Sequence, residues 1–223
     1  MKRGNTMISI YFLPTKRLRS GDFDSLVSAL PFGDAERIRL SSIENPSHKW
    51  ESLGGLVALE RLCKILHNPL PCDVARTDTG KPYFDAPNTC AFSISHSDGI
   101  CAVAIADATH AEIGLDIEVI NEKRNRAQIA DRFFSPEEKL RFELCGRTAD
   151  AFFATWTAKE ARAKLDGKGL SALISAKETS GDVPVYLSRL TVTVDGKKIA
   201  VSVCSYSPDE PIKIYFDHEG KDA

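Results

Sequence analysis

Two short segments carry most of the chemistry this chain can offer. The first is Ile113-Gly114-Leu115-Asp116-Ile117-Glu118, and the second is Trp156-Thr157-Ala158-Lys159-Glu160-Ala161-Arg162-Ala163-Lys164 with Gly167-Lys168-Gly169 just beyond it. Together they present three carboxylates, Asp116, Glu118 and Glu160, and one well-placed lysine, Lys164. That set suits a divalent cation beside a pyrophosphate: the acids hold the metal, and the ammonium pairs with phosphate oxygens directly. Phe92-Ser93-Ile94-Ser95-His96-Ser97, upstream, adds a histidine that could face the same anion.

The acids have to be positioned. Residues 112–119 are apolar and β-branched with an acid at every second place, the pattern of a strand. Side chains at i and i+2 share a strand face, so Asp116 and Glu118 point the same way. Two carboxylates ~4 Å apart repel by ~4 kcal/mol at an effective dielectric of ~20, so an enclosed pair needs a proton or a cation between them. The plain alternative is an amphipathic strand with a wet acidic face and an apolar face of Ile113, Leu115, Ile117 and Val119.

Glu160 and Lys164 fall in a stretch without Pro or Gly, rich in Ala, Lys, Glu and Arg, which predicts a helix over 149–166. Trp156, Glu160 and Lys164 repeat every fourth residue on roughly one face. A surface Glu–Lys pair at i, i+4, worth only ~0.2–0.5 kcal/mol, is the plain reading there. It leaves the glycine-flanked Lys168 unexplained. All the candidate ligands are oxygen donors, and no Cys or His stands with them at zinc spacing. A hard cation follows: Mg²⁺, with Mn²⁺ as a substitute.

The chain of 223 residues can bury a substantial core as one large domain or two small ones. Its 29 basic and 31 acidic residues, for a net charge of −2, argue against broad nucleic-acid binding. No apolar run is long enough to span a membrane, and the first residues lack the apolar core of an export signal. Met1 to Thr6 is polar and expected to fray, and Met7 is an alternative start. Cys63, Cys72, Cys90, Cys101, Cys145 and Cys204 have no C-x-x-C spacing, which fits reduced thiols in a cytoplasm.

The remaining elements follow from pattern and breakers. Strands are predicted over 8–13, 89–95, 100–107, 186–194, 199–206 and 212–216, the last three antiparallel in type. Helices are predicted over 23–30, 34–44, 46–67, 127–134 and 136–145. Asn68-Pro69-Leu70-Pro71 ends the long helix, and Asp78-Thr79-Gly80-Lys81-Pro82 reads as a turn. Ser135, Pro136 and Glu138 spell a capping box. Strand, helices and strands occur twice, predicting an α+β fold of pseudo-duplicated halves, 1–108 and 109–223. Each half would be a small antiparallel-type sheet packed with helices, with a ligand site between them.

Four motifs in order give the chain a resemblance: Gly80-Lys81-Pro82, Phe92 to Ser97, Gly114 to Glu118, and Trp156 to Lys164. It resembles the 4′-phosphopantetheinyl transferases of the long, Sfp-like type, holo-[acyl-carrier-protein] synthases in activity. The resemblance implies Mg²⁺-dependent transfer of phosphopantetheine from coenzyme A to a serine of an apo acyl or peptidyl carrier protein, releasing 3′,5′-ADP. It implies a monomer whose partners are coenzyme A and the carrier. By the same resemblance Asp116, Glu118 and Glu160 hold the metal, Lys164 contacts the pyrophosphate, and Lys81, Pro82, Ser95 and His96 contact coenzyme A. Glu160 or a water is the base for the serine proton. Arg37, Arg39 and Lys49 are candidates for the 3′-phosphate, and Arg124 and Arg126 for docking an acidic carrier. A Glu near the metal in the family corresponds to Glu138, whose capping role explains it equally well. Ser93 departs from the family's usual Asn. Two other classes remain open: a Mg²⁺-dependent nucleotide pyrophosphate hydrolase, and a catalytically silent carrier-binding module, against which the intact acids argue.

Overall fold

The computed structural model describes residues 7–68, 70, 73–86, 89–109, 112–167, 184–208 and 211–217, with the side chains of 107–109 outside that description. Met1 to Thr6, Pro69, Pro71, Cys72, Lys168 and Gly169 lie outside the described residues.

The chain runs β1 (Ile8–Pro14), a short 3₁₀ turn (Thr15–Arg17), α1 (Phe23–Ala29), α2 (Asp34–Ser42), α3 (Pro46–Ile65), β2 (Val74–Arg76), β3 (Pro82–Phe84), β4 (Cys90–Ser97) and β5 (Ile100–Thr109). It continues with β6 (Ile113–Val119), α4 (Arg126–Phe133), α5 (Pro136–Leu144), α6 (Ala149–Asp166), β7 (Tyr186–Val194), β8 (Lys197–Ser205) and β9 (Ile212–Phe216). The strands form a four-stranded sheet, β4-β5-β1-β9, a three-stranded sheet, β6-β8-β7, and the hairpin β2-β3. The fold is α+β.

Strand periodicity builds the layers. All seven residues of β1 are buried, because both faces of its sheet are covered. Tyr11 and Leu13 pack with Leu53, Leu56 and Leu59 of α3. Ile8, Ile10 and Phe12 pack on the opposite face with Ile113, Leu115 and Ile117 of β6 and with Val201 and Val203 of β8. The alternation in β6 thereby turns Gly114, Asp116 and Glu118 away from that core and toward α6. At Gly114 an added Cβ would lie 2.0 Å from the carbonyl oxygen of Ala161. The missing side chain is what lets α6 lie against β6.

Helix ends follow local chemistry. Thr148 caps α6 by accepting from the Ala151 amide, and Gly167 ends it with a left-handed φ of 64°. Ser135 and Glu138 form the expected capping box with Pro136 in the first turn of α5.

Two features depart from the sequence expectation. Val74–Arg76 and Pro82–Phe84 pair as a hairpin around the predicted turn. β9 does not continue the antiparallel sheet of β7 and β8; it crosses to the first sheet and pairs parallel with β1, Ile10 opposite Ile214. Asp217, just after β9, accepts from the Tyr11 hydroxyl at 2.6 Å and from Arg17 and Arg61, which anchors this return.

Candidate active site

A cleft of about 420 Å³ opens between the first sheet with its helices and α6. Its walls include Arg39 of α2, His48 and Glu51 of α3, Arg76 and Pro82 of the hairpin, Ile94 and His96 of β4, and Glu160 and Lys164 of α6. The hairpin turn closes onto the end of α6: the Thr79 hydroxyl donates to Gly167 O at 2.6 Å, and Lys81 Nζ to Leu165 O at 3.2 Å. Lys81 also pairs with Glu112 at 2.7 Å.

Asp116 and Glu160 meet at the α6 wall, with Glu118 next along β6. Asp116 is 2% exposed. Its Oδ1 accepts from Ser95 Oγ and from Lys164 Nζ, both at 2.8 Å. Its Oδ2 is buried with no hydrogen-bond partner. Glu118 accepts from Ser97 Oγ at 2.7 Å and from Arg124 at 2.9 Å. Glu160 stands beside Asp116, and its carboxyl is pushed up to about 8. Burial is the largest cause, the charges of Asp116 and Glu118 add to it, and Lys164 opposes them.

On the opposite wall the cations are organised by two acids, Glu36 and Glu51. Glu36, 3% exposed, takes Arg76 Nε at 2.7 Å and Arg39 Nε at 2.9 Å. These two guanidinium groups hold its carboxyl below the usual range against the opposing effect of burial. Arg76 also donates to Gly80 O at 3.0 Å. His96 Nδ1 lies 3.2 Å from Glu51 Oε2, and the His48 ring centroid lies 5.7 Å from that of His96. Glu51 also accepts from the Gly99 amide, and its carboxyl is lowered, most of all by the His96 hydrogen bond.

Residues 112–206, which contain Asp116, Glu118, Glu160 and Lys164, match the model of the 4′-phosphopantetheinyl transferase superfamily. A Salmonella typhi protein named 4′-phosphopantetheinyl transferase AcpT is 30% identical over 184 residues, covering 82% of this chain and 90% of its own length. A Bacillus subtilis 4′-phosphopantetheinyl transferase is 31% identical over 159 residues, 69% of this chain and 67% of its own. This chain belongs to the 4′-phosphopantetheinyl transferase superfamily.

Against that family, the structure gathers some of the sequence candidates and separates others. Asp116, Glu160 and Lys164 come together, with Glu118 beside them. Lys81, Pro82 and His96 line the cleft. Ser95 is buried behind it, between Asp116 and the Ile117 amide. Arg37 and Lys49 are not among the cleft-lining residues. Arg37 pairs with Asp34 and donates to Leu30 O, and Lys49 lies over the Phe23 ring at 4.4 Å. Helix phase is the reason: positions 37 and 39 point about 200° apart, and Arg39 takes the cleft side. Glu138 is fully buried in its capping box and 3.0 Å from Lys159. Arg124 is no free docking cation. It pairs with Glu118 and lies over the Phe153 and Trp156 rings. Arg76 and Glu51 were not singled out by sequence, because each acquires its place through a tertiary partner.

The donors fit a hard divalent cation. They are all carboxylate oxygens, and Asp116 Oδ2 is a buried acceptor in want of a partner. Among the described residues no three His, Cys, Asp or Glu side chains are already grouped as a ligand set. Lys164 on Asp116 and Arg124 on Glu118 supply the positive charge instead.

Proposed function

We propose that this protein transfers 4′-phosphopantetheine from coenzyme A to a serine of an apo carrier protein, with 3′,5′-ADP as the other product. The observation that carries the reading is the cleft's polarity. One wall carries Arg39, Arg76 and His96, and the other carries Lys164 backed by Asp116 and Glu160. A molecule with a phosphate at one end of a nucleoside and a pyrophosphate at the other matches such a cleft. The names of the relatives, 4′-phosphopantetheinyl transferases, give the same group for transfer.

Arg39 and Arg76, pre-oriented by Glu36, would take the 3′-phosphate, with His96 beside them. Lys81 and Pro82 would border the adenine, and Lys164 would meet the pyrophosphate. Asp116, Glu118 and Glu160 would hold Mg²⁺, for which Mn²⁺ can substitute; when bound, it supplies positive charge to the pyrophosphate oxygens. The carrier serine Oγ bonds to the β-phosphorus while the bond from that phosphorus to the bridging oxygen breaks, and the electron pair leaves on 3′,5′-ADP. Glu160 or a water would take the serine proton, and Lys164 would offset the charge on the leaving phosphate. Ser95 holds Asp116, and Asp116 fixes where Lys164 stands. No helix of the described residues is long and apolar enough to cross a membrane. We read the protein as a cytoplasmic monomer whose macromolecular partner is the carrier.

Following 3′,5′-ADP by chromatography tests the reading against its rival. The nucleotide should form only when an apo carrier is present, in proportion to carrier consumed, and should stop in EDTA. Coenzyme A cleavage without any carrier would establish a pyrophosphate hydrolase instead.

A further inference from the structure

β4 and β6 lie side by side at the junction of the two larger sheets, yet they are not neighbours in either sheet. Serine hydroxyls join them. Ser93 Oγ accepts from the Leu115 amide at 2.9 Å, Ser95 Oγ from Ile117 at 3.2 Å and Ser97 Oγ from Val119 at 3.1 Å, each pair 22 residues apart. The constant offset means that the two strands run in the same direction in fixed register. A hydroxyl has one proton and two lone pairs. With a lone pair taken by the amide, the proton is free to go to an acceptor 21 residues on. Ser95 gives it to Asp116 Oδ1 at 2.8 Å, and Ser97 to Glu118 Oε2 at 2.7 Å. Ser93 has no such acid, because the corresponding residue is Gly114, where α6 leaves no room for a side chain.

We propose that Ser95 and Ser97 are positioning residues: Ser95 pins Asp116 Oδ1 and so leaves Oδ2 for the cation, and Ser97 pins Glu118 Oε2, so that the cation takes Oε1 from Arg124, which holds it at 2.9 Å. The proposal rests on the reading of Asp116, Glu118 and Glu160 as the cation-holding set. It follows from the pattern at Asp116, where Oδ1 is engaged twice and Oδ2 is the buried oxygen left over. The backbone amide fixes the hydroxyl, the hydroxyl fixes the acid, and the acid sits on the second sheet while the serine sits on the first. The cation site is therefore complete only when the two sheets are in register. Ser93 closes the seam in the same way but touches no acid.

Mn²⁺ titration followed by electron paramagnetic resonance separates these roles, with coenzyme A saturating for each variant because Ser93 also lines the cleft. Ser95→Ala and Ser97→Ala should weaken Mn²⁺ binding by about 10–100-fold, the usual cost of losing a group that orients a ligand. Ser93→Ala should bind Mn²⁺ as the wild type does while lowering the melting temperature comparably, since it loses the same kind of amide acceptor. Ser97→Thr keeps the hydroxyl and should restore binding, which a purely steric role would not require. If Ser95→Ala does not fold, the Ser97 pair decides alone. Wild-type affinity in the alanine variants, or an equal loss in Ser93→Ala, would overturn the positioning role and leave the cation reading standing. A wild-type protein that binds no Mn²⁺ would overturn the cation reading, and the positioning role with it.

Discussion

Glu160 is the residue on which charge and stability meet. Its carboxyl is raised from an ordinary 4.5 to about 8, so the metal-free fold favours the protonated form. The unfolded chain ionises this group near its ordinary value, whereas the folded chain resists. Its contribution to stability is therefore fully present below about pH 4.5, declines as pH rises, and is lost above about pH 8. Melting curves in EDTA should fall across that window by an amount on the order of a few kcal/mol. Glu160→Gln should flatten them there, and Mg²⁺ should raise the melting temperature more at pH 8 than at pH 5.5. A pH-independent effect of Mg²⁺ would contradict this account. Glu36 and Glu51 act in the other direction and at lower pH, because their carboxyls are depressed.

Arg76 gives a second prediction at the same scale. Arg76→Ala should raise KM for coenzyme A by about tenfold or more, since charge-assisted hydrogen bonds are worth about 1.5–3 kcal/mol. It should leave the KM for dephospho-coenzyme A, which lacks the 3′-phosphate, unchanged. Equal losses for both nucleotides, measured as initial rates over substrate concentration, would move the 3′-phosphate away from Arg76. Arg76 was not legible in the sequence because its strand has three residues and no period; only the pairing of Val74 with Phe84 brings it to Glu36. Asp116, Glu118, Glu160 and Lys164 were legible because periods of two and four state which side chains share a face.

Among the elements, the contact of α6 with β6 sets the cluster. Gly114→Ala would place a methyl 2.0 Å from the Ala161 carbonyl and 2.6 Å from the Leu165 amide. Backbone is on both sides of that methyl, so the helix must move. The cost should be at least ~1–3 kcal/mol, seen in chemical denaturation, with loss of metal binding because Glu160 and Lys164 ride on the displaced helix. Unchanged stability would mean that α6 is less closely seated than described. The sequence showed the glycine but not its reason, which lies in a helix packed against it from far along the chain. The serines of β4 are a similar case. Alternating Ser93, Ser95 and Ser97 reads as a polar strand edge until β6 is placed alongside.

Across the whole molecule, the second sheet is held to the first by the apolar layer between them and by the chain's return through β9. A five-residue strand carries no mark of parallel or antiparallel pairing, so this return was not legible. What secures it is Asp217, on which Tyr11, Arg17 and Arg61 converge. Asp217→Ala removes the carboxylate that Tyr11 and Arg61 share, while Arg17 keeps the backbone carbonyl of residue 217. It should cost about 1.5–3 kcal/mol in urea unfolding, while the KM for coenzyme A stays as in the wild type if the variant folds.

The central claim is that the acids on β6 and α6 serve transfer of phosphopantetheine onto a protein serine. Intact-mass spectrometry of several apo carrier proteins, incubated with this protein, coenzyme A and Mg²⁺, tests it most directly. The predicted result is one added phosphopantetheine per carrier, absent with Asp116→Ala and absent in EDTA. An unchanged carrier mass across acyl and peptidyl carriers, or full modification by Asp116→Ala in EDTA, would contradict it.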